Sequence, residues 1–394
     1  MRTIVTADRL WNGVELIEQP LLEIEGGRIA AIGSRASAAE PVPCGVKVLR
    51  FPGATLAPSF FDVHFHGAAG HDVMEATPEA IAAIGTLLAR HGTAAYLATT
   101  VTAPLDATLR AVAGLAELIE KPERIHGQRG EGCARPIGIH LEGPFLSHAR
   151  RGVQPAEHLL APDIDAFDRL YEAGGGHVRL MTLAPELPGA IDLARHATER
   201  GVRVSLGHSN AGAAETRAAI DAGAASATHT FNAMRPLDHR EPGILGVVLT
   251  DDRLYAELIC DGIHSDPQMA KLWWRSKGES RGILITDAMS AAGMPDGEYR
   301  LGGFAVQVAG GRAMAGGVLA GSVLTLDRAL SNFVRFTGAP LDKALRLLTV
   351  NPAAMLGIDG QAGTLAVGAP ANLVAVDAAG KLAAAMVDGQ LSSA

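Results

Sequence analysis

His64 and His66 stand two apart in the run FFDVHFH, and a strand turns residues two apart to the same face, so two imidazoles share one space. A divalent metal is the natural partner for such a pair. Side chains of the same chemistry recur downstream: Glu142 in GIHLEG, His208 in GHSN, His229 in THTFNAM, His264 in DGIH and Asp287 in ITDA. Imidazole and carboxylate ligands suit Zn²⁺, with Fe²⁺, Mn²⁺ and Co²⁺ as alternatives, and a catalytic site keeps a position open for water. Glu142, His208 and His229 make one such set. His64 and His66 make a second if Glu142 bridges, so one or two ions per subunit are expected. A bridging lysine is not expected, because the fourth run, VRLMTLAPE, offers none. Asp287 beside an activated water can take a proton and return it to a leaving amine. The plain alternative is a helix cap. His264 suits stabilisation of a developing oxyanion, against the alternative of a loop histidine bonded to backbone. His140 alternates with Glu142 and is left open as a buried donor behind the site. His71, His91, His126, His148, His158, His177 and His196 fall in loops or helical stretches and are given no role.

Eight short β-rich runs carry or precede these groups: FFDVHFH, TAAYLATTV, PIGIHLEG, VRLMTLAPE, VRVSLGHS, SATHTFNAM, LYAELICDGIH and RGILITDA. Alanine-rich segments of helical spacing separate them, as in TPEAIAAIGTLLARHG, which opens on a cap-like Thr-Pro and ends at Gly. This rhythm predicts an α/β fold, a (β/α)₈ TIM-like barrel over 56–357, with the candidate residues at the carboxyl ends of its strands. His229 is read as lying within the sixth run. The first 55 residues and those from 358 to 394 instead alternate in short runs, with Gly26-Gly27 as a hairpin signal, so both ends are expected to build one small β domain. The glycine-rich stretch from Gly302 to Gly321 is left without elements, and two helical segments are expected before Leu356. A loop closing over substrate is sought first between Ala288 and Gly303.

Composition narrows the function classes. The 394 residues are 48% hydrophobic and 19% charged, enough apolar material for a full core, which excludes fibrous and disordered readings. A formal charge of -8 without any basic run leaves no footprint for nucleic acid. Cys44, Cys133 and Cys260 are scattered singly, the N-terminus lacks the apolar core of a secretory signal, and no apolar stretch of ~18 residues suggests a membrane span. A cytoplasmic protein is expected.

Two loops have the chemistry of an anion site. The backbone of FNAMRP, at Asn232 and Ala233, can present N–H groups, and Arg240 in DHREPG offers the forked donors that phosphate prefers, though an exposed arginine is usually just solvated.

Through PSFFDVHFHG, GIHLEGPF, LAPE, GHSNA, THTFNAM, REPG, DGIH, ITDA and GTLAVGAPANLV, in this order and over nearly the whole chain, the sequence resembles the N-acetylglucosamine-6-phosphate deacetylases of the amidohydrolase superfamily. The resemblance implies a β-sandwich built from both termini, a homodimer, and hydrolysis of N-acetyl-D-glucosamine 6-phosphate to glucosamine 6-phosphate and acetate in amino-sugar catabolism and cell-wall recycling. It implies Glu142, His208 and His229 as metal ligands, Asp287 as acid and base, and His264 at the acetyl carbonyl. It places Asn232, Ala233 and Arg240 on the sugar phosphate, the arginine either in its own subunit or reaching across the dimer, and Gln154 where some members carry a sugar-contacting histidine. Some members lack the strand-one histidine pair and use a single ion; this chain keeps it. The alternatives are a deacetylase of another N-acetyl amino sugar phosphate, such as the galactosamine epimer, and a non-catalytic sugar-phosphate sensor, which would be expected to lack Asp287 or a ligand.

Overall fold

The computed structural model describes residues 2–34, 45–125, 132–360 and 362–392, so Cys44 and His126 lie outside the described residues. The eight runs fold as eight strands: β1 (Phe60–Phe65), β2 (Thr93–Thr100), β3 (Arg135–Glu142), β4 (Val178–Leu183), β5 (Arg203–Leu206), β6 (Ala224–Ala227), β7 (Ala256–Ile259) and β8 (Gly282–Ile285). β1 to β6 form one parallel sheet in chain order, and β7 and β8 a parallel pair. The sheet curls, because β8 returns to β1. Asp287 N–H donates to His64 O (3.0 Å) and His66 N–H to Ala288 O (2.8 Å). On the other side, Ala227 N–H donates to Tyr255 O (3.0 Å) and Thr230 N–H to Glu257 O (2.9 Å), tying β6 to β7.

Helices cover the outside of the curl. The first, Pro78–Arg90, starts where Thr77 Oγ1 accepts from Ala80 N–H with Pro at the first turn, and it buries Ile81, Ile84 and Leu88. These side chains join strand residues such as Phe61, Val63, Leu141 and Leu180 in the main core.

Both ends of the chain enter one mixed sheet, in the order Gln390–Ser392, Leu382–Val387, Leu373–Val376, Lys47–Pro58, Arg2–Trp11, Pro20–Glu25, Arg28–Ser34. The Gly26-Gly27 signal holds: Glu25 pairs with Arg28, and both glycines have positive φ (56° and 77°), the condition for a two-residue turn matching strand twist. Val5, Leu10, Leu22, Leu56 and Leu373 form the apolar face of this sheet.

The glycine-rich stretch differs from expectation. It is a four-stranded antiparallel sheet, Gly297–Leu301, Phe304–Ala309, Arg312–Ala315 and Val318–Leu319. Gly310-Gly311 and Gly316-Gly317 make its last two turns, all four at positive φ, so glycine here marks hairpins rather than irregular chain. Leu301, Val306 and Val308 pack it on Met289 and Ala320 beside the mouth of the curl. Three helices follow instead of two, Leu326–Thr337, Leu341–Arg346 and Val350–Leu356.

Candidate metal centre

The curl brings residues far apart in the chain to one rim. His64 lies in β1 and His66 just after it, Glu142 ends β3, and His208, His229 and Asp287 each stand two residues beyond β5, β6 and β8. His229 is therefore past its strand rather than within it. His208, His229 and Asp287 all have positive φ (45°, 28° and 51°), as do Phe231 and Ala233 (81° and 50°). Such backbone costs a non-glycine residue roughly 1–3 kcal/mol and persists only where the surroundings hold it. Here it turns three polar side chains inward as their strands end. Asp287 is no helix cap; its backbone N–H and C=O bond to His64 O and Ser322 N–H.

Glu142 is the hub. Its Oε1 lies 3.2 Å from His64 Nε2, 3.2 Å from His208 Nε2 and 3.1 Å from His229 Nε2, and its Oε2 lies 3.4 Å from His66 Nε2. Asp287 Oδ1 lies 3.2 Å from His66 Nε2 and 3.5 Å from His64 Nε2. Two ligand groups result, His64–His66–Asp287 and Glu142–His208–His229, every member buried. His66 Nδ1 faces Thr99 O (3.0 Å) and His208 Nδ1 faces Arg150 O (3.1 Å). A carbonyl only accepts, so both rings carry a proton on Nδ1 and turn Nε2 to the cluster.

This donor set fits a divalent cation. Nitrogen and oxygen ligands at ~2.0–2.1 Å from a tetrahedral ion are separated by roughly 3.3 Å, and the Nε2 atoms of His208 and His229 are 3.1 Å apart. Two lone pairs at that distance repel unless a proton or a cation lies between them. The electrostatics agree. Burial works against charge on His66, yet Asp287 and Glu142 push it up to about 9, and the same carboxylates raise His64 well above its ordinary value. Burial likewise disfavours the charged carboxylates, but His64 and His208 hold Glu142 well below the usual range, and His64 and His66 lower Asp287. The pocket is built to concentrate exchangeable positive charge.

His140 is not a ligand. Its Nδ1 lies 3.3 Å from Thr99 Oγ1 and its Nε2 2.8 Å from Thr182 Oγ1, beneath the cluster, and burial together with the His64 charge keeps it far below its ordinary value, hence neutral. Gln154 lines the cavity at the cluster and is held by two bonds: its Oε1 accepts from Thr102 N–H (2.8 Å) and its Nε2 donates to Glu142 Oε2 (2.7 Å). It clamps the hub carboxylate. Sequence reasoning did not find this because a glutamine in RRGVQP has no periodic or charge signal. It also passed over Glu257, one fully buried side chain in an apolar strand, whose Oε2 reaches His64 Nδ1 (3.2 Å).

His264 lines the same cavity, of about 260 Å³, together with Asn232 and Ala233. Its Nδ1 bonds to Asp261 Oδ2 (2.6 Å), leaving Nε2 as its free nitrogen. Asp261 is half-buried; desolvation works to raise its carboxyl, but its bond to His264 keeps it below the ordinary value. The Asn232 backbone N–H is spent on His229 O (3.0 Å), so that expected anion donor is engaged within the turn. Arg240 is exposed on the following loop, outside the cavity lining.

Residues 55–392 match the Amidohydrolase family. The chain belongs to the amidohydrolase family. Members generally use a divalent metal, in accord with the two ligand groups. The chain is 40% identical over 395 residues, all of both proteins, to N-acetylgalactosamine-6-phosphate deacetylase of Escherichia coli O157:H7. It is 36% identical to N-acetylglucosamine-6-phosphate deacetylase of Bacillus subtilis, over 90% of this chain and 88% of that one. Among solved amidohydrolases, it resembles a mutant N-acetyl-D-glucosamine-6-phosphate deacetylase from Mycobacterium smegmatis in complex with N-acetyl-D-glucosamine-6-phosphate, with a TM-score of 0.89, 38% identity and complete coverage of both chains.

Proposed function

We propose that the chain is a divalent-metal-dependent deacetylase of N-acetyl-D-glucosamine 6-phosphate, releasing D-glucosamine 6-phosphate and acetate. The observation that carries this reading is the convergence of four imidazole Nε2 atoms on Glu142, two of them also facing Asp287, in a cavity that His264 also lines. Glu142, His208 and His229 would hold one ion, and His64, His66 and Asp287 would face a second. When bound, the cation supplies Lewis acidity, polarising the acetamide and making water more acidic. Asp287, held ionised by its imidazole neighbours, takes the proton of the attacking water. It then delivers that proton to the nitrogen as the C–N bond breaks. His264, oriented through its Nδ1 by Asp261, turns its Nε2 to the oxygen on which charge develops. The Asn232 side chain, the Ala233 N–H and Arg240 are assigned to the sugar phosphate. With Arg240 away from its own cavity, a contribution from a second subunit suits its position and favours a homodimer.

Zn²⁺ is the preferred ion on donor type. The backbone bonds at both seams support a closed (β/α)₈ barrel over 56–357, and the shared sheet of both termini supports a β-sandwich domain from 1–55 and 358–394. Among the described residues no helix is long and apolar enough to cross a membrane, in line with the proposed cytoplasmic location.

The galactosamine epimer is the second reading, favoured by the 40% identical relative that bears that name. A sensor without catalysis is disfavoured by the complete set of candidate groups. Acetate release from both 6-phosphorylated epimers, before and after chelation and reconstitution with Zn²⁺, tests all three. Release that disappears with chelator and returns with metal supports the proposal; no release from either epimer overturns it.

A further inference from the structure

Glu257 lies in the middle of β7 with no exposed surface. Its Oε2 is 3.2 Å from His64 Nδ1 and 3.2 Å from the His229 backbone nitrogen, while its Oε1 has no partner. Among the described residues its ion pairing is with His64 alone. A buried carboxylate is expensive, and an apolar residue at an inward strand position would serve the core better. Its value must come from what it touches.

Of the four imidazoles around Glu142, two have Nδ1 fixed by backbone carbonyls and His229 Nδ1 has no partner; His64 alone is held by a carboxylate. We propose that Glu257 is a positioning residue that builds the His64–His66 ion site from behind. By accepting the Nδ1 proton of His64 it directs the Nε2 lone pair to the cluster, and its charge makes that ring a stronger donor. Its second contact, to the His229 N–H, lies on backbone and leaves the donor atoms of the Glu142–His208–His229 group unaltered. The inference rests on the proposed metal-dependent reading and deepens it: Glu257 separates the affinities of two ions.

The test is stoichiometry and affinity, read by titrating metal-free full-length protein with Zn²⁺ against a chromophoric chelator, and with Co²⁺ by its visible spectrum. Wild type is expected to take two ions. Glu257→Gln should weaken the second by roughly 10- to 100-fold, the usual effect of removing a carboxylate behind a ligating histidine, and leave the first unchanged. His64→Asn should show the same loss, with no further loss when Glu257→Gln is added to it. Should the glutamine variant not fold, Glu257→Asp, which keeps the charge but draws back from His64, should still weaken the second ion. Two ions of unaltered affinity in whichever variant folds overturn the inference while sparing the metal-dependent reading, and so does a wild type that saturates at one ion. A wild type that binds none overturns both.

Discussion

The two halves of the ion cluster are built in different ways. His64 and His66 sit two apart at the end of one strand, and Asp287 joins them from β8 through direct backbone bonds to β1. Glu142, His208 and His229 come from three separate strands and meet only because the sheet curls. The first group depends on the period of a strand, the second on the register of the whole sheet. A local pair is cheap to form; a set assembled across three strands exists only in the folded state, so ion binding there should be strongly linked to stability.

The largest effect is expected at Glu142, a member of one group whose carboxylate also touches both histidines of the other. Glu142→Ala removes the acceptor that four imidazoles share, and should abolish metal retention and acetate release together, checked by elemental analysis and assay of the purified variant. Asp287→Asn separates chemistry from assembly. Turnover should fall by roughly 10²–10⁴-fold, the scale of a lost general acid and base, while the Glu142–His208–His229 group keeps its ion. Arg240→Ala should raise KM for the phosphorylated sugar and matter little for the unphosphorylated one, in steady-state assays of both. Gln154→Ala should destabilise by about 1–3 kcal/mol in denaturant titration, because the buried Thr102 N–H loses its acceptor.

Acidity sharpens the contrast further. In the metal-free protein His66 is raised from 6.5 to about 9, so its contribution to stability is full below pH 6.5 and is lost as pH rises through about 9. The ion needs the neutral ring, so the shift has the opposite sign for the loaded protein. Melting temperature with chelator should therefore decline from pH 6.5 to 9, and the gain on adding Zn²⁺ should grow over the same range.

Much of this was legible in the chain. All eight strand runs were, because each is a short apolar stretch bounded by helical spacing, and so were the groups at their ends. The four-stranded insert was not, since glycine pairs that make tight turns look the same in sequence as glycine in irregular loops. Nor were the tasks of Gln154 and Glu257, which are set by neighbours 52 and 193 residues away, Thr102 and His64. Ligands announce themselves by residue type; the residues that hold them do so only by contact.

Anomalous diffraction from crystals grown with Zn²⁺ tests the central claim most directly. The account predicts a strong peak within about 2.0–2.2 Å of Glu142, His208 and His229, with a second against His64 and His66 at higher metal concentration. Scattering confined to surface carboxylates, with Glu142 clear of any peak, would contradict it.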